Sequence, residues 1–332
     1  MKTVDCPFCN GKAELCMDRS KRFFRREEFE VYEYYYKCNV CGKEFTTTDI
    51  DKFNTEQVYN LYREQNSIPF PEQLKSLREH YGLSAAKMSE LLGFGPNQYR
   101  LYERGEIPTG GNATVLGLIV KPESFRNILI NNRSSLTSKK IYELLSLIDE
   151  KPDNNSGEWV KQSNFPSDII PNRYTGFALP RFIKFANMVL YFISDAPFKV
   201  RLNKLLFYAD FVNFKYTGYS ISGCRYAAID MGPVPDKYSY TFSLLESEKY
   251  LTTDLVKTER GEFEKFVPMM KFEKEIFNEA ELLTLKDVLG CFKKLSTQQL
   301  IKISHNEAAW KDNSEEKSII DYSEYAPQII AL

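Results

Sequence analysis

Histidine is almost absent from this chain: its 332 residues include two, His80 and His305. That scarcity removes most routes to histidine-based metal ligation and to proton transfer near neutral pH. His80 closes the segment "REHYG", where a cationic or packing role at a helix C-terminus is expected. His305, close to Glu307, is the best catalytic candidate on offer. The chain also lacks the G-x-S-x-G, H-E-x-x-H and P-loop patterns, so the expectation is that it is not an enzyme. It lacks an excess of either charge: 44 Lys and Arg stand against 45 Asp and Glu, a net charge of −1. No global positive field draws it to nucleic acid, so any DNA contact must come from a local surface. It lacks an apolar run of the roughly 20 residues a bilayer requires. The longest, residues 185–193, is about half of that, and no membrane partner is expected. Met1-Lys2-Thr3-Val4-Asp5 leads straight into a cysteine pair, without the apolar centre of a signal peptide. The expectation is a soluble, cytoplasmic protein. There is no internal repeat and no low-complexity tract.

The chain is long enough for two or three domains, and its 43% hydrophobic and 27% charged residues are those of globular domains. Three regions separate. Residues 1–50 hold two cysteine pairs with "EFEVYEYYYKC" between them, a β-rich stretch that predicts a long hairpin. The polar residues 20–28 are expected to turn between its strands. Residues 51–150 open with a connector helix over residues 55–65. Pro69 and Pro71 then punctuate, and four or five short helices follow. Residues 151–171 contain "KPDNNSGEW" and read as a linker. Residues 172–332 carry two apolar helices, "PRFIKFANMVLYFIS" and "RLNKLLFYADFVNFKYTG", then a β-like stretch through "YAAIDMGPVPDKY". A hairpin around Arg260-Gly261 comes next, then helices over about residues 273–295 and 296–309. For the mixed-charge tail after Lys311, packing and a loose end both stay open. The fold class is multidomain and mainly α with small β parts.

Seven cysteines are present. Cys6, Cys9, Cys38 and Cys41 form two C-x-x-C turns, each followed by a glycine, and in a cytosolic chain that pattern favours metal over disulfides. Two such turns facing each other make a closed four-sulfur tetrahedron, the arrangement of one structural Zn2+ ion. The 28 residues between Cys9 and Cys38 exceed the commonest ribbon spacing, which the long hairpin accounts for. Cys16, Cys224 and Cys291 stand alone and are expected to be buried thiols.

"LREHYGLSAAKMSELLGFGPNQYRLYERGEIP" has the grammar of a DNA reader. Leu74, Leu77 and Tyr81 give a first helix its apolar face, and Ser84 is an N-cap for a second over residues 85–92. Gly93 suits a left-handed end and Pro96 the first turn of a third helix. Tyr99 and Tyr102 would pack inward, and Gly105 would end the helix. Asn97, Gln98, Arg100 and Arg104 then face outward. Asn and Gln pair bidentately with adenine, and Arg with guanine.

With these residues in view, the segment resembles the Xre/Cro-type helix-turn-helix family through Tyr102-Glu103-Arg104-Gly105. A zinc ribbon placed before it resembles the MqsA/HigA-type antitoxins, whose text runs "G-x-N-x-x-x-R-Y-E-K-G". Gly95, Asn97, Tyr102, Glu103 and Gly105 match. Leu101 stands where that family has arginine, and Arg100 precedes it. The resemblance implies a homodimer on a palindromic operator DNA, its reading helices about 34 Å apart.

The last region resembles the Panacea, or SocA-like, domain. The match rests on Leu202, Lys204, Leu205, Leu206, Tyr208 and Ala209, then Gly218, then Gly232, Pro233, Val234, Pro235 and Tyr238, and finally "SHNEAAW" over residues 304–310. Ile229 and Met231 replace aromatics common before Gly-Pro-Val. The resemblance implies an α+β domain that neutralises a cognate toxin protein, by direct binding in most relatives. Together the resemblances imply an antitoxin of a type II toxin–antitoxin system that also represses its own operon. Lys204, Tyr208, Phe211, Asp236 and Tyr238 are the candidate toxin contacts. Two readings of the helix at residues 201–218 stay open, the centre of a core or an exposed aromatic groove. Two alternatives to the antitoxin also stay open. One is a transcriptional regulator whose C-terminal domain senses a ligand or mediates assembly, and the other is a hydrolase built on His305.

Overall fold

The computed structural model describes residues 3–132, 136–149, 170–258 and 261–332. Most of the expected linker, up to residue 169, lies outside them. The chain divides into two compact units, Met1–Asp153 and Asn154–Leu332.

The first unit begins with an antiparallel sheet of β1 (Thr3–Asp5), β2 (Lys12–Phe24), β3 (Glu27–Cys38) and β4 (Glu44–Phe45) in sequential order. β2 and β3 form one ribbon in continuous register from Ala13↔Cys38 to Phe24↔Glu27. Residues 20–24 and 27–28 of the expected turn are strand. Cross-strand ion pairs such as Lys21–Glu28 (2.6 Å) suit polar side chains to an exposed ribbon. The turn is Arg25-Arg26 alone, with φ of 47° and 73°, the geometry of a two-residue hairpin loop. Buried positions change parity along β3, from Phe29 and Val31 to Tyr34, Tyr36 and Cys38. A two-stranded ribbon twists strongly, and opposite faces find cover at its two ends.

Helix α1 (Thr48–Gln65) starts seven residues before the expected connector. Thr47 caps it by accepting from the Ile50 amide, and Asp49 and Asp51 favour its first turn. Its Val58 and Tyr62 join Phe29 and Val31 in one apolar cluster. Asn54 pairs with both the N–H and the carbonyl of Tyr34 (2.9 and 2.8 Å). Six short helices follow: α2 (Pro71–His80), α3 (Ala85–Leu91), α4 (Gln98–Glu103), α5 (Gly110–Ile119), α6 (Pro122–Asn131) and α7 (Ser138–Asp149). Ser84 caps α3, accepting from the Lys87 amide at 3.2 Å, and Gly93 is left-handed at φ 70°. Pro96 lies outside α4, because Asn97 is the N-cap and is itself left-handed at φ 69°. Leu74, Tyr81, Met88, Leu91, Tyr99, Tyr102 and Phe125 close one core through α2 to α7.

The second unit is built around one helix. α8 (Phe182–Ile193) is followed by α9 (Lys199–Thr217), which ends on Gly218 at φ 78°. Every residue from Arg201 to Phe214 of α9 is buried, so this helix is the centre of the core and not the wall of a groove. Next come the hairpin β5 (Tyr226–Ile229) and β6 (Gly232–Pro235), helix α10 (Tyr238–Ser247), and the hairpin β7 (Leu251–Thr258) and β8 (Gly261–Pro268). Helix α10 falls where the sequence pattern suggested none. α11 (Glu279–Phe292) opens with a capping box between Asn278 and Glu281, so a 3-10 turn at Lys274–Ile276 occupies the start of the helix expected from residue 273. α12 (Thr297–Asn306) is capped by Ser296 and Gln299, and α13 (Ala308–Lys311) and α14 (Tyr322–Tyr325) complete the unit. The tail packs. Ile319 bridges to Ala227, Tyr322 stacks on Phe211 at 4.0 Å, and Glu307 accepts from the amides of Ile330 and Ala331. Among the described residues no helix is long and apolar enough to cross a membrane.

Polar residues of α9 tie loops to it. Arg201 donates to the carbonyls of Phe292 (2.8 Å) and Leu295 (2.6 Å) at the end of α11, where the helix dipole favours a cation. Asp210 is fully buried and accepts from the amides of Ile221 and Ser222, the Ser222 hydroxyl and the Tyr226 hydroxyl, all within 2.6–2.8 Å. Replacing it strands four buried donors. Asp210→Ala is expected to lower the stability of the second unit by roughly 3–5 kcal/mol, read from its urea transition, with the first unit unchanged. A loss below about 1 kcal/mol would mean that water replaces the carboxylate there.

Candidate functional sites

Both C-x-x-C turns lie at the open end of the ribbon. The sulfurs of Cys6, Cys9, Cys38 and Cys41 lie within 4.8 Å of one another. Cys6–Cys41 are 3.7 Å apart and Cys9–Cys38 3.5 Å. A tetrahedral ion with metal–sulfur bonds of about 2.3 Å separates its sulfurs by about 3.8 Å, so the donors fit. Amides aim at the sulfurs: Phe8 N–H at Cys6, Gly11 N–H at Cys9, and Val40 N–H at Cys38, each at 3.4 Å. A Cβ on Gly11 would come within 2.7 Å of the Val40 side chain and 3.0 Å of the Cys38 sulfur, so the two turns close on each other only with glycine there. Amides of Cys41 and Val40 pull the Cys38 thiol down to about 6. Cys9, despite the Gly11 amide, is pushed up to about 12, foremost by Cys38. Four sulfurs this close cannot all ionise without a cation between them. The cluster can therefore hold a metal ion, and four ligands leave no open coordination position for catalysis. Cys16 lies half-buried in β2, away from this group, and Cys224 is buried. Cys291 is exposed, contrary to expectation, with its sulfur 3.5 Å from the Ala331 carbonyl.

In α4, Tyr99 and Tyr102 are buried, and the Tyr99 hydroxyl donates to the Leu74 carbonyl (2.9 Å). That orients the outer face of α4. Asn97, Arg100 and Arg104 are exposed, three and four residues apart and so on one side of the helix. Asn97 makes no capping bond with its side chain. Gln98 is half-buried, 3.3 Å from Glu106. Leu101, which the outward set omitted, is also exposed. Glu103, half-buried, forms a 2.5 Å pair with Arg78 of α2. His80 is exposed at the end of α2, its ring 4.9 Å from that of Tyr81.

The five candidate contacts of the second unit do not share a surface. Lys204, Tyr208 and Phe211 are buried because α9 is covered all round, and they are scaffold rather than contacts. The Lys204 ammonium donates to the Pro233 carbonyl (3.0 Å), tying α9 to the Gly-Pro-Val-Pro strand. A Cβ on Gly232 would sit 2.7 Å from both the Lys204 Cε and the Ser304 Oγ, so three separate motifs meet at this point. Tyr208 donates to Glu307 (3.2 Å). Burial, with the charge of Glu307, raises its phenol well above the usual range. Phe211 stacks on Tyr322. Asp236 is half-buried against Arg225 (2.5 Å), and Tyr238 is half-exposed at the start of α10. The exposed neighbours Met231 and Tyr240 escaped the sequence reading because an apolar residue carries no mark of exposure.

His305 stacks on Trp310 at 3.8 Å, and the Trp310 indole donates to the Ile229 carbonyl (2.8 Å). Burial and the charge of Lys204 depress the imidazole below its usual value. Among the described residues no group lies within hydrogen-bond reach of its Nε2.

Residues 202–311, about a third of the chain, match the family model described as "Antitoxin SocA-like, Panacea domain". The second unit is similar to that family, which supports an antitoxin role. No curated protein matches the sequence.

Chelation is expected to raise amide exchange in residues 3–11 and 38–45 while Phe29 and Val31, packed on α1, stay protected, since metal at such a site is local folding energy. Loss of protection along the whole ribbon would assign its stability to the metal instead. Burial also pushes the Lys204 amine down to about 7 from an ordinary 10.5. From pH 7 upward the unfolded chain binds a proton that the folded unit lacks, so stability rises with pH. The thermal midpoint of the second unit is expected to climb from about pH 7 to 8.5, and the climb to vanish in Lys204→Met. Equal slopes in the two proteins would show that Lys204 is solvated.

Proposed function

We propose that the chain is an antitoxin of a type II toxin–antitoxin system. Its second unit neutralises a cognate toxin protein by direct binding, and its first unit represses the shared operon. The observation that carries this reading is the family match over residues 202–311, joined to the way its motifs converge. Lys204, Gly232 and Ser304 meet at one point, and Tyr208 reaches Glu307. The buried motif residues are thereby assigned to building the domain, and the toxin-facing surface to half-exposed Asp236 and the motif's half-exposed Tyr238, with Met231 and Tyr240 beside them. Aromatic and methionine side chains with a polar rim have the composition of an interface centre.

DNA reading is assigned to α4, through Asn97, Arg100 and Arg104 with Gln98 at the edge. Supporting it are the exposed polar side set by two buried tyrosines and the resemblance of the flanking text. A homodimer would place two such helices in successive major grooves of a palindrome. The four-sulfur cluster is assigned one structural zinc ion, which suits closed thiolate sites. A role by binding, with His305 as a packing residue against Trp310, follows from the same family match.

Co-expression tests the central claim. The small gene beside this one is induced alone, with the full chain, and with residues 170–332. The expected outcome is toxicity relieved by both forms. A harmless neighbour would favour a regulator whose second unit senses a ligand. Relief by the full chain alone would move the toxin surface into the first unit.

A further inference from the structure

The reading helix is gripped from outside its own helix-turn-helix. Helix α4 has six residues, under two turns, too few to fix its direction by internal hydrogen bonds. Beyond it the chain turns at Gly105, φ 101°, whose carbonyl accepts from the guanidinium of Arg63. Arg63 lies in the last turn of α1 and is 1% exposed. Its other donors meet Asn60 (2.7 Å) and Glu56 (3.3 Å). Two residues further on, the carbonyls of Ile107 and Pro108 accept from the two terminal nitrogens of Arg25 (3.2 and 2.7 Å). Arg25 is the first residue of the ribbon turn. Its guanidinium lies over the rings of Phe24 and Tyr62, 5.2 and 5.6 Å from their centroids. Ile107 is buried in one cluster with Phe29 and Val31 of the ribbon and Val58 and Tyr62 of α1.

Two side chains far away in sequence thus hold three main-chain carbonyls, those of Gly105, Ile107 and Pro108, just after α4. Reading a base edge requires side chains held to within roughly 0.5 Å and 10–20°, and a planar fork on two successive carbonyls gives a stiffer restraint than the rotatable ammonium of a lysine. We infer that Arg25 and Arg63 are positioning residues for DNA discrimination. Through Gly105, Ile107 and Pro108 they set the pitch at which α4 presents Asn97 and Arg100. The inference rests on the DNA reading proposed above. It gives the ribbon a task at its closed end that is independent of the metal at its open end.

The test compares the full wild-type chain with Arg25→Ala and Arg25→Lys. The probes are the duplex that wild type selects from a random pool and a scrambled duplex of equal composition. Arg25 carries the test because it is exposed, whereas replacing buried Arg63 threatens folding. Arg25→Ala is expected to weaken the selected duplex about 10-fold and the scrambled one less than about 2-fold, a loss of discrimination. The thermal midpoint of the first unit should stay within about 2 °C, and Arg25→Lys should restore part of the discrimination. Equal weakening of both duplexes, with a salt slope lower by about 1, would make Arg25 a phosphate contact and overturn the inference. Unchanged discrimination in a folded Arg25→Ala chain would overturn it as well, leaving the DNA reading intact. A wild-type chain that selects no duplex would remove the DNA reading, and the inference with it.

Discussion

Charge taken out of water governs this structure. Arg63, Arg201, Lys204, Asp210 and Glu307 are all buried, and a buried charge is tolerated only where the protein replaces its hydration. Their partners are mostly main-chain groups: carbonyls for Arg63, Arg201 and Lys204, amides for Asp210 and Glu307. Each therefore fixes a stretch of backbone that no hydrophobic contact could place so narrowly. Satisfaction is uneven. Asp210 has four donors and is still pushed up to about 6 by burial, whereas the Lys204 ammonium donates to the Pro233 carbonyl.

The two units use this device for opposite ends. In the second, buried charges converge on α9, so Lys204 and Tyr208, two of the motif residues, are architectural and out of a partner's reach. In the first, guanidinium groups reach across to the short helix that carries the proposed base contacts. Interaction is left to side chains of little individual distinction, such as Arg100, Tyr238 and Met231.

Much of the first unit was legible because its signals are local. C-x-x-C spacing, a serine N-cap, a glycine after Leu92 and tyrosines three apart each act within a few residues, and each has its counterpart in the structure. The ribbon turn falls inside the expected residues 20–28 but is far shorter, because cross-strand partners that no local window contains make residues 20–24 and 27–28 strand. Helix α1 begins early because Thr47 caps it ahead of the apolar pattern. Helix α10 was missed because "YSYTFSLLES" sends only Thr241, Phe242 and Leu245 inward, too weak a stripe to register as a period. In the second unit the polar face of α9 misled most. Lys204 and Tyr208 look like surface chemistry, and only the tertiary fold, by covering every side of the helix, makes them core.

The packed tail sets an order of folding. Tyr208 meets Glu307 across 99 residues, and Tyr322 reaches the Cys224 carbonyl across 98. The central helix is thus made long before the residues that cover it. At synthesis rates of about 5–20 residues per second, its apolar surface waits several seconds for its lid, and pairings this distant also slow closure. The surface of α9 is thus exposed longest during synthesis, before Glu307 and Tyr322 have emerged to cover it.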